Sequence, residues 1–214
     1  MFLKYPERGA VKTRLAHALG DDPAYELYLR FIADLAAMTC EVEAETVMVY
    51  AGPDDAVFPD FPSVRVIRQR GSDIGGRMYH AFLDVFALGF ERAALIGSDC
   101  PDLPVRLVND AFEKLAAADV VLGPGTDGGY YLIGCNRDTL CESMFSDIPW
   151  STDAVFTETL KRAAREGLVC AQLESWSDID EMDDLKQYYI RNKNGTLMSQ
   201  TMKYLDATGI LNAQ

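Results

Sequence analysis

Ala93-Ala-Leu-Ile-Gly-Ser-Asp-Cys-Pro-Asp-Leu103 opens with four apolar residues, Ala93 to Ile96, and a glycine stops the run. Such a run is too short for a helix and reads as a buried strand of a parallel sheet. Ser98-Asp99-Cys100-Pro101-Asp102 then forms a turn. In open α/β sheets, ligands bind outside the carboxyl ends of the strands. Asp99 therefore stands where a carboxylate can reach a metal, and through the metal a phosphate-bearing ligand. The same residues also fit a plain turn, in which Asp99 shapes the bend and Asp102 caps the next helix. This stretch alone does not separate the two.

Upstream, Lys4-Tyr-Pro-Glu-Arg-Gly9 is a loop by its proline and glycine. Val11-Lys-Thr-Arg-Leu-Ala16 enters a helix that Gly20 closes. Lys12 and Arg14 sit in its first turn, where cations oppose the helix dipole. A bound polyphosphate would remove that conflict, so Gly9, Lys12 and Arg14 outline an anion site. It is not a P-loop, because Gly9-x-x-Lys12-Thr13 lacks the GxxxxGK spacing. A helix with Asp as N-cap and Pro23 at its first position runs from about Asp21 to Cys40, with Leu27, Phe31, Leu35 and Met38 as core. Strands are expected at 46–50 and 64–67, joined by a proline-containing loop at 54–63. Gln69-Arg-Gly-Ser-Asp-Ile-Gly-Gly-Arg77 is a glycine-rich loop leading into a helix over 78–87, with Arg77 a further basic residue at a helix start.

Downstream, a helix over 103–117 and a strand over 119–122 lead to Gly123-Pro-Gly-Thr-Asp-Gly-Gly129, followed by a strand at 130–133. Glycines here allow close backbone approach or positive φ. Asp127 is the ionisable group among them, with an Asx turn as the plainer reading. A helix ending near Glu166 is capped by Ser151 or Thr152 and carries Glu158 and Arg162 at i,i+4. A last strand covers 169–173. Trp176-Ser-Asp-Ile-Asp-Glu-Met-Asp-Asp-Leu185 holds five carboxylates. It reads as a capped helix entrance, and Asp178 or Asp180 can supply a second metal ligand. The alternation of strands and helices argues α/β with a mostly parallel sheet.

Composition excludes several classes. The 214 residues carry 33 Asp+Glu against 20 Lys+Arg, a net charge of −13. That argues against general nucleic-acid binding, which needs a basic surface. No apolar run reaches transmembrane length and no signal peptide is visible. Five scattered cysteines form no CxxC pair, so neither zinc nor a disulfide framework is indicated. A reducing cytoplasm is the expected location.

Lys4-x-Pro-x-x-Gly-x-Val-Lys-Thr-Arg-Leu-Ala16 resembles the signature of GT-A-like nucleotide-diphospho-sugar transferases. Members are often described as glycosyltransferases associated with radical-SAM enzymes or arsenosugar biosynthesis. Molybdopterin and phospholactate guanylyltransferases are distant kin. Ile96-Gly-Ser-Asp-Cys-Pro-Asp-Leu103, Gly123-Pro-x-x-Asp-Gly-Gly-Tyr-Tyr-Leu-Ile-Gly134, Pro149-Trp-Ser-Thr152 and Asp178-Ile-Asp180 match later blocks in order. The strand that ordinarily precedes the Lys-x-Pro loop is nearly absent, leaving a start that reads as truncated.

The resemblance implies a GT-A/Rossmann-like three-layer α/β/α sandwich with a mostly parallel, mixed central sheet over 1–185, and a helical extension over 186–214. It implies Mg²⁺ or Mn²⁺ held by Asp99 and Asp180. Gly9, Lys12 and Arg14, with Arg77, would hold nucleotide phosphates. Asp127, Gly128 and Gly129 would face the sugar or acceptor, with Asp127 as general base or acceptor anchor. The expected partners are a nucleotide or nucleotide-sugar donor and a small acceptor, with glycosyl transfer as the expected reaction. Nucleotidyl transfer with release of pyrophosphate, or non-catalytic nucleotide binding, are the alternatives.

Overall fold

The computed structural model describes residues 1–58, 61, 64–195 and 199–211. In chain order the elements are β1 (Phe2–Lys4), α1 (Thr13–Leu19), α2 (Asp21–Thr39), β2 (Val47–Ala51), β3 (Arg65–Arg68), α3 (Ile74–Ala87), β4 (Arg92–Ile96), α4 (Val105–Lys114), β5 (Val120–Pro124), β6 (Tyr130–Asn136), α5 (Val155–Arg165), β7 (Cys170–Gln172), α6 (Met182–Asn192) and α7 (Gln200–Thr208). The loop expected at 54–63 lies partly outside the described residues.

Hydrogen bonds join β1-β2-β3 into a parallel sheet and β4-β6-β5-β7 into a mixed one. Tyr28 fastens the two together. Its hydroxyl donates to the Lys4 carbonyl (2.9 Å), accepts from the Lys4 N–H (3.1 Å) and bonds Ser98 Oγ (3.1 Å). The ends of β1 and β4 are thereby held side by side. β4, β5 and β7 run the same way, and β6 alone is reversed between β4 and β5.

That reversal makes the sheet mixed, as expected, and it follows from the turn before β6. The turn between β5 and β6 is Gly125–Gly129, closed by a Gly125 N–H to Gly129 carbonyl bond of 3.0 Å. Parallel neighbours need a crossover of a dozen or more residues, so a turn this short can only make a hairpin.

The layers follow from side-chain alternation. Val121 and Leu132 face α2 and α4 through Tyr28, Ile32, Leu35, Leu107 and Ala111. Val120, Leu122, Ile133 and Cys135 face α3 and α5 through Met78, Phe82, Phe86 and Ala163. The result is a three-layer α/β/α sandwich. Helix α2 is buried on two sides. Its positions 27 and 31, one residue earlier in the helical repeat than 28 and 32, pack against Leu185 and Tyr188 of α6 and Leu205 of α7. The boundary at 185/186 thus falls inside α6. Among the described residues no helix is long and apolar enough to cross a membrane.

Several local expectations shift. Helix α3 begins at Ile74 rather than Met78, because the Asp73 carboxylate caps it by accepting from Gly76 N–H at 2.8 Å. Gly75 is helical and marks packing rather than a loop. A Cβ there would meet the Phe145 carbonyl oxygen at 2.2 Å and the Trp150 ring at 2.8 Å. Gly20, not an aspartate, precedes α2, and Asp21 is its first residue. Ala154 holds the N-cap position of α5 without a side-chain bond, so neither Ser151 nor Thr152 caps it. Glu158 pairs with Lys161 at 2.6 Å, and Arg162 reaches Asp147 at 3.8 Å.

Candidate active site

Among the described residues, six of the seven strands point their carboxyl ends to one edge, where an open cleft of about 520 Å³ lies. Lys4, Lys12, Arg14, Arg77, Asp99 and Asp180 line it, with Tyr28, Gln69 and Ser98. Four cations face two carboxylates in a chain whose net charge is −13. The cleft is a local reversal of the protein's charge. A smaller apolar hollow of about 120 Å³, beside Val47, Phe82 and Leu95, shares no lining residue with it.

Each charged residue arrives there for a local reason. Asp99 follows the end of β4, as the short apolar run requires. The backbone then carries Asp180 beside it, because Ile179 N–H donates to the Asp99 carbonyl at 2.9 Å. Asp180 and Glu181 are held by Asp184, whose carboxylate accepts from their N–H groups at 3.1 and 2.8 Å to form the capping box of α6. Arg77 lies in the first turn of α3, its Nε donating to the Gly71 carbonyl at 3.3 Å.

Lys12 is the central group. It occupies the N-cap position of α1 with φ 46°, a left-handed conformation uncommon outside glycine. Its ammonium donates to the Ile179 carbonyl at 2.7 Å and Asp180 Oδ1 at 3.0 Å, and forms a close ion pair with Asp99 Oδ1. The Phe31 ring lies 5.7 Å away. Only 4% of its side chain is exposed. Burial works against the ammonium charge, but the Asp99 and Asp180 carboxylates together outweigh it and hold its pKa above the ordinary lysine range. The conflict between Lys12 and the α1 dipole is thus met by carboxylates of this chain. Arg14 is different: 65% exposed, it lies 3.5 Å from Glu181 and 3.9 Å from Asp180.

Gly9 and the 125–129 turn do not line the cleft. Gly9 has φ +72° and faces Asp21. Asp127 forms the Asx turn, accepting from Gly129 N–H at 2.9 Å. It nevertheless lies close enough to Asp178 to act on that group's charge. Trp176 N–H donates to the Pro124 carbonyl at 3.0 Å, which ties the turn to the 176–180 segment. Gly128 is at φ +91°, and a Cβ there would meet the Asp153 carbonyl oxygen at 2.3 Å. Gly128→Ala is expected to cost about 2 kcal/mol or more through left-handed strain and overlap. Urea unfolding checks this, and an unchanged midpoint would show that the turn relaxes freely.

Asp178 deepens the cluster. Burial, then the charges of Asp127, Asp180 and Asp99, pushes its carboxyl up from 3.8 to about 6. The folded state therefore holds that proton more tightly than the unfolded chain. The contribution favours folding at low pH and is lost as pH rises through about 6. A shift of this size corresponds to about 3 kcal/mol, which partial exposure reduces to about 1 kcal/mol. Asp178→Asn is expected to stabilise the protein by about that amount near pH 8 and not near pH 4. Equal gains at both pH values would contradict a charge penalty.

Asp102 does not cap α4, whose N-cap is Pro104. Its carboxylate, 6% exposed, accepts from Arg191 Nε (2.7 Å) and Nη2 (3.0 Å), Asn192 Nδ2 (2.7 Å) and Trp176 Nε1 (3.2 Å). This cluster clamps α6 and the 176–180 segment to the Asp99 turn. Lys4 also lines the cleft, and its position in the Lys-x-Pro motif is its signal in the sequence. Arg191 carries no local signal of its role in the clamp.

Residues 34–152, more than half of the chain, match a family described as uncharacterized protein conserved in bacteria, DUF2064. The chain belongs to DUF2064. Within reach of this DUF2064 chain is a solved structure from Desulfovibrio desulfuricans G20, provisionally assigned as a nucleotide-diphospho-sugar transferase. It is 36% identical, covers 99% of this chain and 95% of its own, and superposes with a TM-score of 0.92. A 2-phospho-L-lactate guanylyltransferase of Methanopyrus kandleri is 29% identical over 188 residues, 85% of this chain and 86% of that protein. A nucleotidyl transferase from Methanothermobacter shares the fold at 18% identity, with a TM-score of 0.56 over 89% of this chain and 96% of that one. The likeness to nucleotide-diphospho-sugar transferases that the motifs carry therefore extends over nearly the whole DUF2064 chain.

Proposed function

We propose that this protein is a metal-dependent transferase that moves a sugar from a nucleotide-diphosphate donor to a small acceptor. The observation that carries this reading is the cleft at the strand ends, where four cations and two carboxylates meet in an otherwise acidic protein. A nucleotide-utilising transferase is also the common ground of the similar proteins named above.

The donor set suits a hard divalent ion. Asp99 and Asp180 offer carboxylate oxygens and Ile179 a carbonyl oxygen to one point. Among the described residues no group of three or more His, Cys, Asp or Glu side chains is spaced to hold a metal. Mg²⁺ commonly needs only one or two carboxylates, the other positions going to water and substrate phosphate. When bound, such an ion would neutralise charge developing on the diphosphate leaving group.

The protein's own groups do the rest. Arg14, Arg77 and Lys12 donate charge-assisted hydrogen bonds to the phosphates. Gly9, which faces Asp21 outside the cleft, contributes the left-handed turn that leads the chain to Lys12. Asp127, in the turn with Gly128 and Gly129, takes the acceptor proton or anchors the acceptor. Asp178 stands beside it with a carboxyl already raised towards neutrality.

Calorimetric titration with UDP- and GDP-sugars, with and without Mn²⁺, tests the reading. Binding only with the metal is expected, and no binding of any nucleotide with metal present would sink it. Arg14→Ala is expected to weaken donor binding about tenfold, the worth of one charge-assisted hydrogen bond to phosphate. Unaltered affinity would make Arg14 a surface residue. Asp127→Asn separates base from anchor: a lower saturated rate marks a base, a higher acceptor KM an anchor.

A second reading is favoured by the Methanopyrus relative, a guanylyltransferase. It is nucleotidyl transfer to a phosphorylated or carboxylated small molecule at the same phosphate site. Pyrophosphate release from a nucleoside triphosphate, rather than nucleoside diphosphate release from a sugar donor, distinguishes it.

A further inference from the structure

We infer that Lys12 is a built-in counterion that fills the cation position between Asp99 and Asp180, so that a divalent ion enters only as donor phosphate draws the ammonium away. This rests on the transferase reading above and adds an order of events to it.

An ammonium has three N–H donors and no acceptor. In Lys12 they meet three oxygens: Asp99 Oδ1, Asp180 Oδ1 at 3.0 Å and the Ile179 carbonyl at 2.7 Å. Two carboxylates and a carbonyl are also the hard oxygen set that Mg²⁺ or Mn²⁺ takes. The ammonium and the ion therefore compete for the same atoms. They cannot hold the same oxygens at once, because the Lys12 side chain is only 4% exposed and two positive centres within a few ångströms repel. The Phe31 ring centroid lies 5.7 Å from the ammonium.

The chain holds Lys12 there against local preference. Its φ of 46° is one a lysine adopts at a cost, so the surrounding oxygens hold the conformation. Its flexible four-carbon stem can still carry the charge to a new partner. Arg14 is exposed and Arg77 lies on the cleft wall. These two meet an incoming diphosphate first, and the phosphates then offer Lys12 an alternative to the carboxylates. Vacated, Asp99 and Asp180 take the ion that arrives with the nucleotide. Before that, the ammonium occupies the cage oxygens and cancels half of their charge, so a free divalent cation binds weakly.

The test reads metal binding without turnover. Free Mn²⁺ is measured by electron paramagnetic resonance in nucleotide-free wild type, Lys12→Met and Arg14→Met. Lys12→Met, which keeps the stem and removes the charge, is expected to bind Mn²⁺ about tenfold or more tighter than wild type. Arg14→Met is expected to change it far less, and adding Asp99→Asn to Lys12→Met should abolish the gain. Equal Mn²⁺ affinity in wild type and Lys12→Met, or weaker binding in the variant, overturns the inference. Circular dichroism reports whether Lys12→Met folds, and Lys12→Gln replaces it if it does not. Should neither fold, wild type decides: inorganic pyrophosphate must raise the protein-bound Mn²⁺ above what pyrophosphate alone holds, and no rise overturns it. The transferase reading fails separately, if no nucleotide binds in the presence of Mn²⁺.

Discussion

Asp99→Asn is expected to lower turnover about tenfold or more with the fold intact, since about 1.4 kcal/mol of lost transition-state stabilisation corresponds to tenfold. Asparagine keeps the shape and removes the charge that both Lys12 and a divalent ion require. The side chain is 42% exposed, so the turn itself is not under strain from the change. Lys12 would keep Asp180 and the Ile179 carbonyl as partners. The measurement is the rate of nucleoside diphosphate release across a Mn²⁺ series. A wild-type rate with unchanged metal dependence removes Asp99 from the site.

Asp102→Ala is expected to destabilise the protein by about 3 kcal/mol, because four hydrogen bonds to a carboxylate only 6% exposed are lost and the part-buried donors of Asn192 and Trp176 are left without it. In a chain of this size that lowers the melting temperature by about 6–12 °C. Four side-chain donors converge on this one carboxylate, from Arg191, Asn192 and Trp176. Arg106→Ala serves as control. Its partner Glu174 is 57% exposed, so about 0.5 kcal/mol or less is at stake. The Asp102 variant should also bind donor more weakly, because Trp176 and Ser177, which Arg191 also holds, lead directly into Asp178 and Asp180. A melting temperature equal to the control's would mean that the clamp carries no load.

The fold class and most of the residues that line the cleft are legible in the chain before any tertiary contact is known. A four-residue apolar run that ends in glycine can bury itself only as a strand, and its turn then lies on the ligand edge of the sheet. Lys12, Arg14 and Arg77 are legible because each sits at a helix start that follows a loop, and in this fold such starts lie on that same edge. The hairpin between β5 and β6 was legible too, since five turn residues cannot make a crossover. The glycines around it fit ligand approach as well as a tight turn. Gly75 and Gly128 are instead explained by the Phe145 and Asp153 carbonyls that approach them.

Tertiary structure decided the partners. Lys12 meets Asp180 across 168 positions, and Asp102 meets Arg191 across 89. Local patterning carries no information at that range. An aspartate after a strand reads alike whether it holds a lysine, an arginine or an ion. Asp178 is likewise ordinary as a residue, and its raised pKa comes from burial, from carboxylates on two other turns and from Asp180 on its own segment. Charge placement at a site is a property of convergence, and convergence exists only once the strands are side by side.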